Sequence, residues 1–181
     1  MHPINAIKKI ALLIRSIPRK AEKILHFFNL TRFTPSLEVP APTHIEIEAT
    51  TRCNATCGTC TRTHLSREDM KNDLHPDTLK KVLIALPDLT SLRLVGLGET
   101  FLNPNIENIL QQLKARSIRV WIITNGSLLQ DVHVRNLIHD YVDDVAISID
   151  STDPEEFSRL RPMGNIGLAD VAEGMKLLIK E

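Results

Sequence analysis

HIEIEATTRCNATCGTC, residues 44–60, holds two patterns end to end. Its first six residues alternate apolar and polar side chains, the period-two signature of a β-strand. The rest carries all three cysteines of the chain, Cys53, Cys57 and Cys60, in a C-x3-C-x2-C loop. An odd count within eight residues is not a disulfide framework; it points to a reducing compartment and to a metal.

Outward from this strand the chain keeps alternating between two periods. Helical spacing over Pro76–Leu86, through Leu79, Val82, Leu83 and Leu86, follows a proline suited to a helix start. SLRLV (91–95) predicts a second strand, Pro104–Ala115 a second helix, and RVWIIT (119–124) a third strand rich in β-branched residues. Leu128–Tyr141 predicts a helix and DVAISID (144–150) a fourth strand. Helices over Pro154–Leu160 and Leu168–Lys180 complete the pattern. Strand and helix in regular alternation mean an α/β fold of parallel strands with crossover helices.

The chain has 181 residues, 43% hydrophobic and 24% charged, which suits one globular domain with a real core. Lys plus Arg and Asp plus Glu both total 22, so there is no basic excess to neutralise phosphates and no case for nucleic-acid binding. No apolar run approaches the roughly 18–20 residues of a membrane span. Residues 1–34 read as an amphipathic helical extension, with Ile7, Ile10, Leu13 and Ile14 at helical spacing and Pro18 as a break. Lys8, Lys9, Arg15, Arg19, Lys20 and Lys23 give it a basic face, either solvated or docked on a membrane surface or partner. A Pro-punctuated linker, 35–43, leads into the main domain, 44–181.

In parallel α/β folds the loops after the strand C-termini build the site. Here those positions carry the cysteine loop, Gly96-Leu97-Gly98-Glu99, Thr124-Asn125-Gly126, and Ser148 with Asp150. An iron–sulfur cubane normally takes four cysteines. A loop supplying three leaves one iron open, by the same logic that leaves an open position in catalytic zinc sites. Gly58 allows the backbone to come close to such a cluster.

The C-x3-C-x2-C loop after a first strand resembles that of the radical S-adenosylmethionine (SAM) enzymes. GLGE after the second strand is similar to their Gly-Gly-Glu motif, and TNG and SID follow in order. The resemblance covers residues 44–181 and implies the N-terminal part of a (β/α)6 partial barrel, of which about four strands are present. It implies that Cys53, Cys57 and Cys60 bind three irons of a [4Fe-4S] cluster, and that SAM chelates the fourth. Reductive cleavage of SAM would then give methionine and a 5′-deoxyadenosyl radical that takes a hydrogen atom from the substrate. Gly98 and Glu99 match the part of the motif that receives the methionine ammonium. Ser148 matches a SAM-bonding position, with Asn125 and Asp150 beside it, and Arg161 falls where related enzymes place an arginine against the SAM carboxylate. Thr59 stands where an aromatic residue is common, and Thr100 where proline usually follows the glycine motif. The SID-x-x-D-P-E-E-F run and R-P-x-G resemble the branch with a C-terminal SPASM-type cluster domain that modifies peptides. The catalytic residues and the substrate, peptide or small molecule, are not legible. An intracellular electron donor and the cytoplasm are implied.

Each motif also admits a plainer role. With His64, the cysteines have the spacing of a Cys3His zinc site in a structural or interaction domain. The glycines suit a strand-end turn, Asn125-Gly126 a simple turn, and Ser148 with Asp150 the polar face of a half-buried strand. His26, His75, His133 and His139 read as surface or helix positions, and Trp121 with Ile123 as core packing. The last helix has an apolar face through Val171, Met175, Leu178 and Ile179 with no fifth strand after it. A sheet stopped there exposes an unpaired edge, so the expectation is a fragment of a longer enzyme. A SAM- and cluster-binding module without turnover is the alternative.

Overall fold

The computed structural model describes residues 39–180, and a compact unit begins at Ala41. The expected N-terminal helical extension and residues 35–38 of the linker lie outside the described residues. Strands β1 (His44–Ile47), β2 (Ser91–Leu94), β3 (Arg119–Thr124) and β4 (Asp144–Ile147) form one sheet in the order β1-β2-β3-β4. All three pairings are parallel, with Ile47 beside Leu94, Leu94 beside Ile122 and Ile122 beside Val145. Helices α1 (Pro76–Ala85), α2 (Ile106–Ala115) and α3 (Val132–Tyr141) are the crossovers. α4 (Pro154–Leu160) and α5 (Leu168–Lys180) follow β4. This is the α/β sheet expected of a partial barrel.

Side-chain alternation divides the sheet into unlike faces. Leu92, Leu94, Val120 and Ile122 are fully buried with Leu79 and Leu83 of α1, Ile109, Leu110 and Leu113 of α2, and Leu137 and Ile138 of α3. The opposite face carries Glu46, Arg93, Trp121 and Asp144 in one register row. Trp121 and Ile123 are therefore not core residues. The Arg93 guanidinium lies 3.7 Å from the Trp121 ring centroid, and Ile123 is 36% exposed. They occupy odd positions of a strand whose even positions meet the helices.

Side chains that compete for backbone groups move several boundaries inward. α3 begins at Val132 rather than Leu128. There Asp131 accepts the His133 N–H at 2.8 Å, while Gly126 at φ +79° turns the chain after β3. α2 begins at Ile106 rather than Pro104, because Asn103 Oδ1 takes the Asn105 N–H at 2.7 Å. β4 stops at Ile147, so Ser148 and Asp150 lie beyond the strand. The Ser148 N–H still reaches Thr124 O at 2.9 Å, after which the chain turns toward Asp153, which caps α4 through the Glu156 N–H. In α5, Val171 and Leu178 are buried and Met175 half-buried, but Ile179 is 80% exposed, one step round the helix from the buried stripe.

Candidate cofactor site

The cysteine loop is held at its stem by the segment that follows it. Thr50 and Asp73 form an antiparallel bridge, the Thr51 N–H bonds Asn72 O at 2.9 Å, and the Leu74 N–H bonds Ala49 O at 2.9 Å. Arg52 Nε sits 2.9 Å from the Asp73 carboxylate. Asn103, only 1% exposed, gives its side-chain N–H groups to Ala49 O and Leu74 O, tying the stem to the loop after β2. Below the loop, Ala55 packs with Phe157 of α4, Met163 and Val171 of α5, and Cys53 and Cys57 border this cluster. The Thr56 N–H donates to Pro162 O at 2.9 Å, closing the loop onto the end of α4.

All three cysteines are free thiols with partial exposure. Burial raises the Cys57 thiol above its ordinary pKa, the Arg161 cation opposes this, and Cys53 and Cys60 act in the same direction as burial. The three sulfurs are thus within electrostatic reach of one another. A Cβ at Gly58 would meet nothing within 4 Å, so the loop is open to its surroundings at that residue. His64 ends a 3-10 turn over Thr61–His64 and is exposed. Among the described residues no three His, Cys, Asp or Glu side chains converge on one metal-ion position.

The loop after β2 packs tightly on the cysteine loop. A Cβ on Gly98 would collide with the backbone oxygens of Thr50 and Arg52, and the Glu99 N–H donates to Arg52 O at 2.7 Å. Only glycine permits that approach. Glu99 is 2% exposed. Its carboxylate accepts the Thr124 hydroxyl at 2.8 Å and the Asn125 N–H at 2.7 Å, and burial pushes its pKa up against those bonds. Its charge is therefore turned toward the end of β3. Asn125, 6% exposed, gives its side-chain N–H groups to Asn54 Oδ1 at 2.9 Å and toward Cys53 Sγ at 3.9 Å. Ser127 completes this contact with Asn54 Nδ2 at 2.8 Å. Asn125 fastens the cysteine loop to β3.

Arg161 and Asp150 face one another, Nε to Oδ2 at 2.6 Å, although the Nε–H is misaligned and makes no hydrogen bond. The Ser148 hydroxyl makes no hydrogen bond among the described residues. Gly98 and Glu99 thus meet the stem of the cysteine loop at Thr50 and Arg52, Asn125 meets Cys53, and Arg161 acts on Cys57 through its charge. Sequence reasoning missed Asn54, Asn103 and Ser127; only Asn54, inside the cysteine motif, had a position that pointed to the site.

The Radical SAM superfamily model matches residues 47–181. The chain belongs to the radical SAM superfamily. It is 30% identical over 140 residues to the tungsten-containing aldehyde ferredoxin oxidoreductase cofactor-modifying protein of Pyrococcus furiosus, covering 76% of this chain and 38% of that protein. It is 30% identical over 148 residues to the antilisterial bacteriocin subtilosin biosynthesis protein AlbA of Bacillus subtilis, covering 79% of this chain and 32% of AlbA. The chain therefore spans under two-fifths of these relatives. Its fold matches Streptococcus suis SuiB bound to its precursor peptide SuiA, with TM-score 0.65 at 19% identity over 90% of this chain and 35% of SuiB.

Radical SAM membership implies SAM and a [4Fe-4S] cluster, and the donor set fits one. Three unpaired thiols lie on one short loop, and the Arg161 cation favours the thiolate of Cys57 against its burial. Among the described residues no helix is long and apolar enough to cross a membrane.

Proposed function

We propose that this radical SAM chain binds a [4Fe-4S] cluster through Cys53, Cys57 and Cys60 and cleaves SAM reductively to abstract hydrogen from a substrate. The observation that supports it most is the joining of the cysteine loop to both neighbouring strand ends, by Gly98 against Thr50 and Arg52 and by Asn125 against Asn54. When bound, the cluster supplies the electron that splits SAM into methionine and the 5′-deoxyadenosyl radical that takes the hydrogen atom. The protein's part is to hold three thiolates and to keep Arg161 beside Cys57. Glu99 fixes the loop after β2 against β3, so its backbone is set for the methionine end of SAM while its carboxylate serves the scaffold. Ser148, whose hydroxyl has no partner among the described residues, is a polar group that can bond SAM.

A peptide is the proposed substrate class. AlbA is named for bacteriocin biosynthesis, and SuiB is a fold relative solved with a precursor peptide. Anaerobic reconstitution tests the function: it should give a brown protein absorbing at roughly 400 nm with about four irons per chain. Dithionite and SAM should then release 5′-deoxyadenosine. Cys57→Ala should lose both signals. A colourless protein that takes up one zinc per chain instead would overturn the reading.

A further inference from the structure

The Gly96–Glu99 loop contains two glycines, and the structure fills the space beside each differently. At Gly98 the neighbour is backbone, from Thr50 and Arg52. At Gly96 it is one side chain: a Cβ there would strike Cγ, Cδ and Oε1 of Glu48. The same Oε1 accepts the N–H of Leu97, at the middle of the turn. Glu48 is exposed and follows β1 on the side of the sheet away from the helices, two residues beyond Glu46. The turn is thus held from both sides. Its far end is anchored by Glu99 to Thr124 and Asn125 at the end of β3, and its centre is clamped by Glu48 just beyond β1.

We infer that Glu48 is a positioning residue for SAM binding: its carboxylate oxygen fixes the Leu97 N–H and so sets the backbone of residues 96–98. This rests on the reading of that turn as the seat of the methionine end of SAM. An unclamped turn carrying two glycines samples many backbone conformations, and ordering it on binding weakens affinity. A Cβ at Gly96 would displace the Glu48 carboxylate, so an alanine there competes with the clamp. Glu48 works as an acceptor rather than as a charge, so a carboxamide oxygen at the same place replaces it.

The test uses the anaerobically reconstituted chain and three substitutions, Glu48→Gln, Glu48→Ala and Gly96→Ala, with SAM affinity measured by equilibrium dialysis. Amide hydrogen exchange of the peptide spanning Leu97 is measured in parallel without SAM. Glu48→Ala and Gly96→Ala should weaken SAM about 10-fold, the worth of one lost hydrogen bond, and speed exchange in that peptide. Glu48→Gln should stay within about 3-fold of the parent in both readouts. Iron content should be equal in all four proteins, since Glu48 touches no cysteine. The inference is overturned if Glu48→Ala binds SAM as the parent does, or if Glu48→Gln loses as much as Glu48→Ala. A parent chain that loads iron but binds no SAM sinks the functional reading instead, and the exchange comparison still decides whether the clamp exists.

Discussion

Glu99 shows how one buried residue carries two consequences. Its carboxylate is desolvated at 2% exposure, and burial raises its pKa from the ordinary 4.5 despite bonds from Asn125 and Thr124 that lower it. The folded chain then holds this proton to higher pH than the unfolded chain does. Stability from the group is full below about pH 4.5 and is lost as pH rises through the raised folded value. Urea unfolding of the reduced, cluster-free protein should show the advantage of the parent over Glu99→Gln shrinking as pH rises from 4.5. A difference independent of pH would mean that Glu99 titrates as an ordinary surface acid. The residue was legible as part of a motif, but its direction was not. A strand-end acid reads the same whether it faces a ligand or a neighbouring strand, and only the β3 loop decides between them.

At the level of elements, periodicity located every strand and helix from β1 to α5, because long-range packing agrees with local apolar spacing in each. Boundaries slipped where a single polar side chain outbids the helix for a backbone group, as Asn103 and Asp131 do. The support beneath the cysteine loop was not legible, since nothing in PEEFSRL says that Phe157 meets Ala55 between two cysteines. Phe157 is fully buried there. Phe157→Ala should cost about 3–5 kcal/mol in chemical denaturation. It should also loosen the loop, read as faster loss of iron to a chelator. Gly174 plays the matching part for α5, where a Cβ would stand 2.6 Å from Leu129 Cβ and 3.1 Å from its carbonyl carbon. Gly174→Ala should push the helix off the turn before α3 and cost about 1–3 kcal/mol by thermal or urea unfolding. A neutral substitution would show that the helix can slide without penalty.

Across the whole molecule, the sheet keeps its two faces for different work. The helix-covered face is apolar and closed, whereas the other carries Glu46, Arg93, Trp121 and Asp144 side by side. A closed (β/α)8 barrel fills its interior with branched apolar side chains. Here Arg93 pairs with Glu46, and Arg119 with Asp144 at 2.8 Å, each side chain roughly half exposed. Such pairs contribute little to stability, because water screens them and long side chains must be ordered to form them. Leu92 and Arg93 are consecutive residues of β2 on opposite faces, which makes them a controlled comparison. Leu92→Ala should cost about 2–5 kcal/mol, as for a fully buried leucine. Arg93→Ala should cost about 1 kcal/mol or less, even counting its contact with the Trp121 ring. Trp121 is the chain's single tryptophan, so its fluorescence reports the open face without interference. Its emission should change in Arg93→Ala and stay unchanged in folded Leu92→Ala. If the two substitutions cost the same, the polar row is part of the stabilising core, and the division of labour between the faces is wrong.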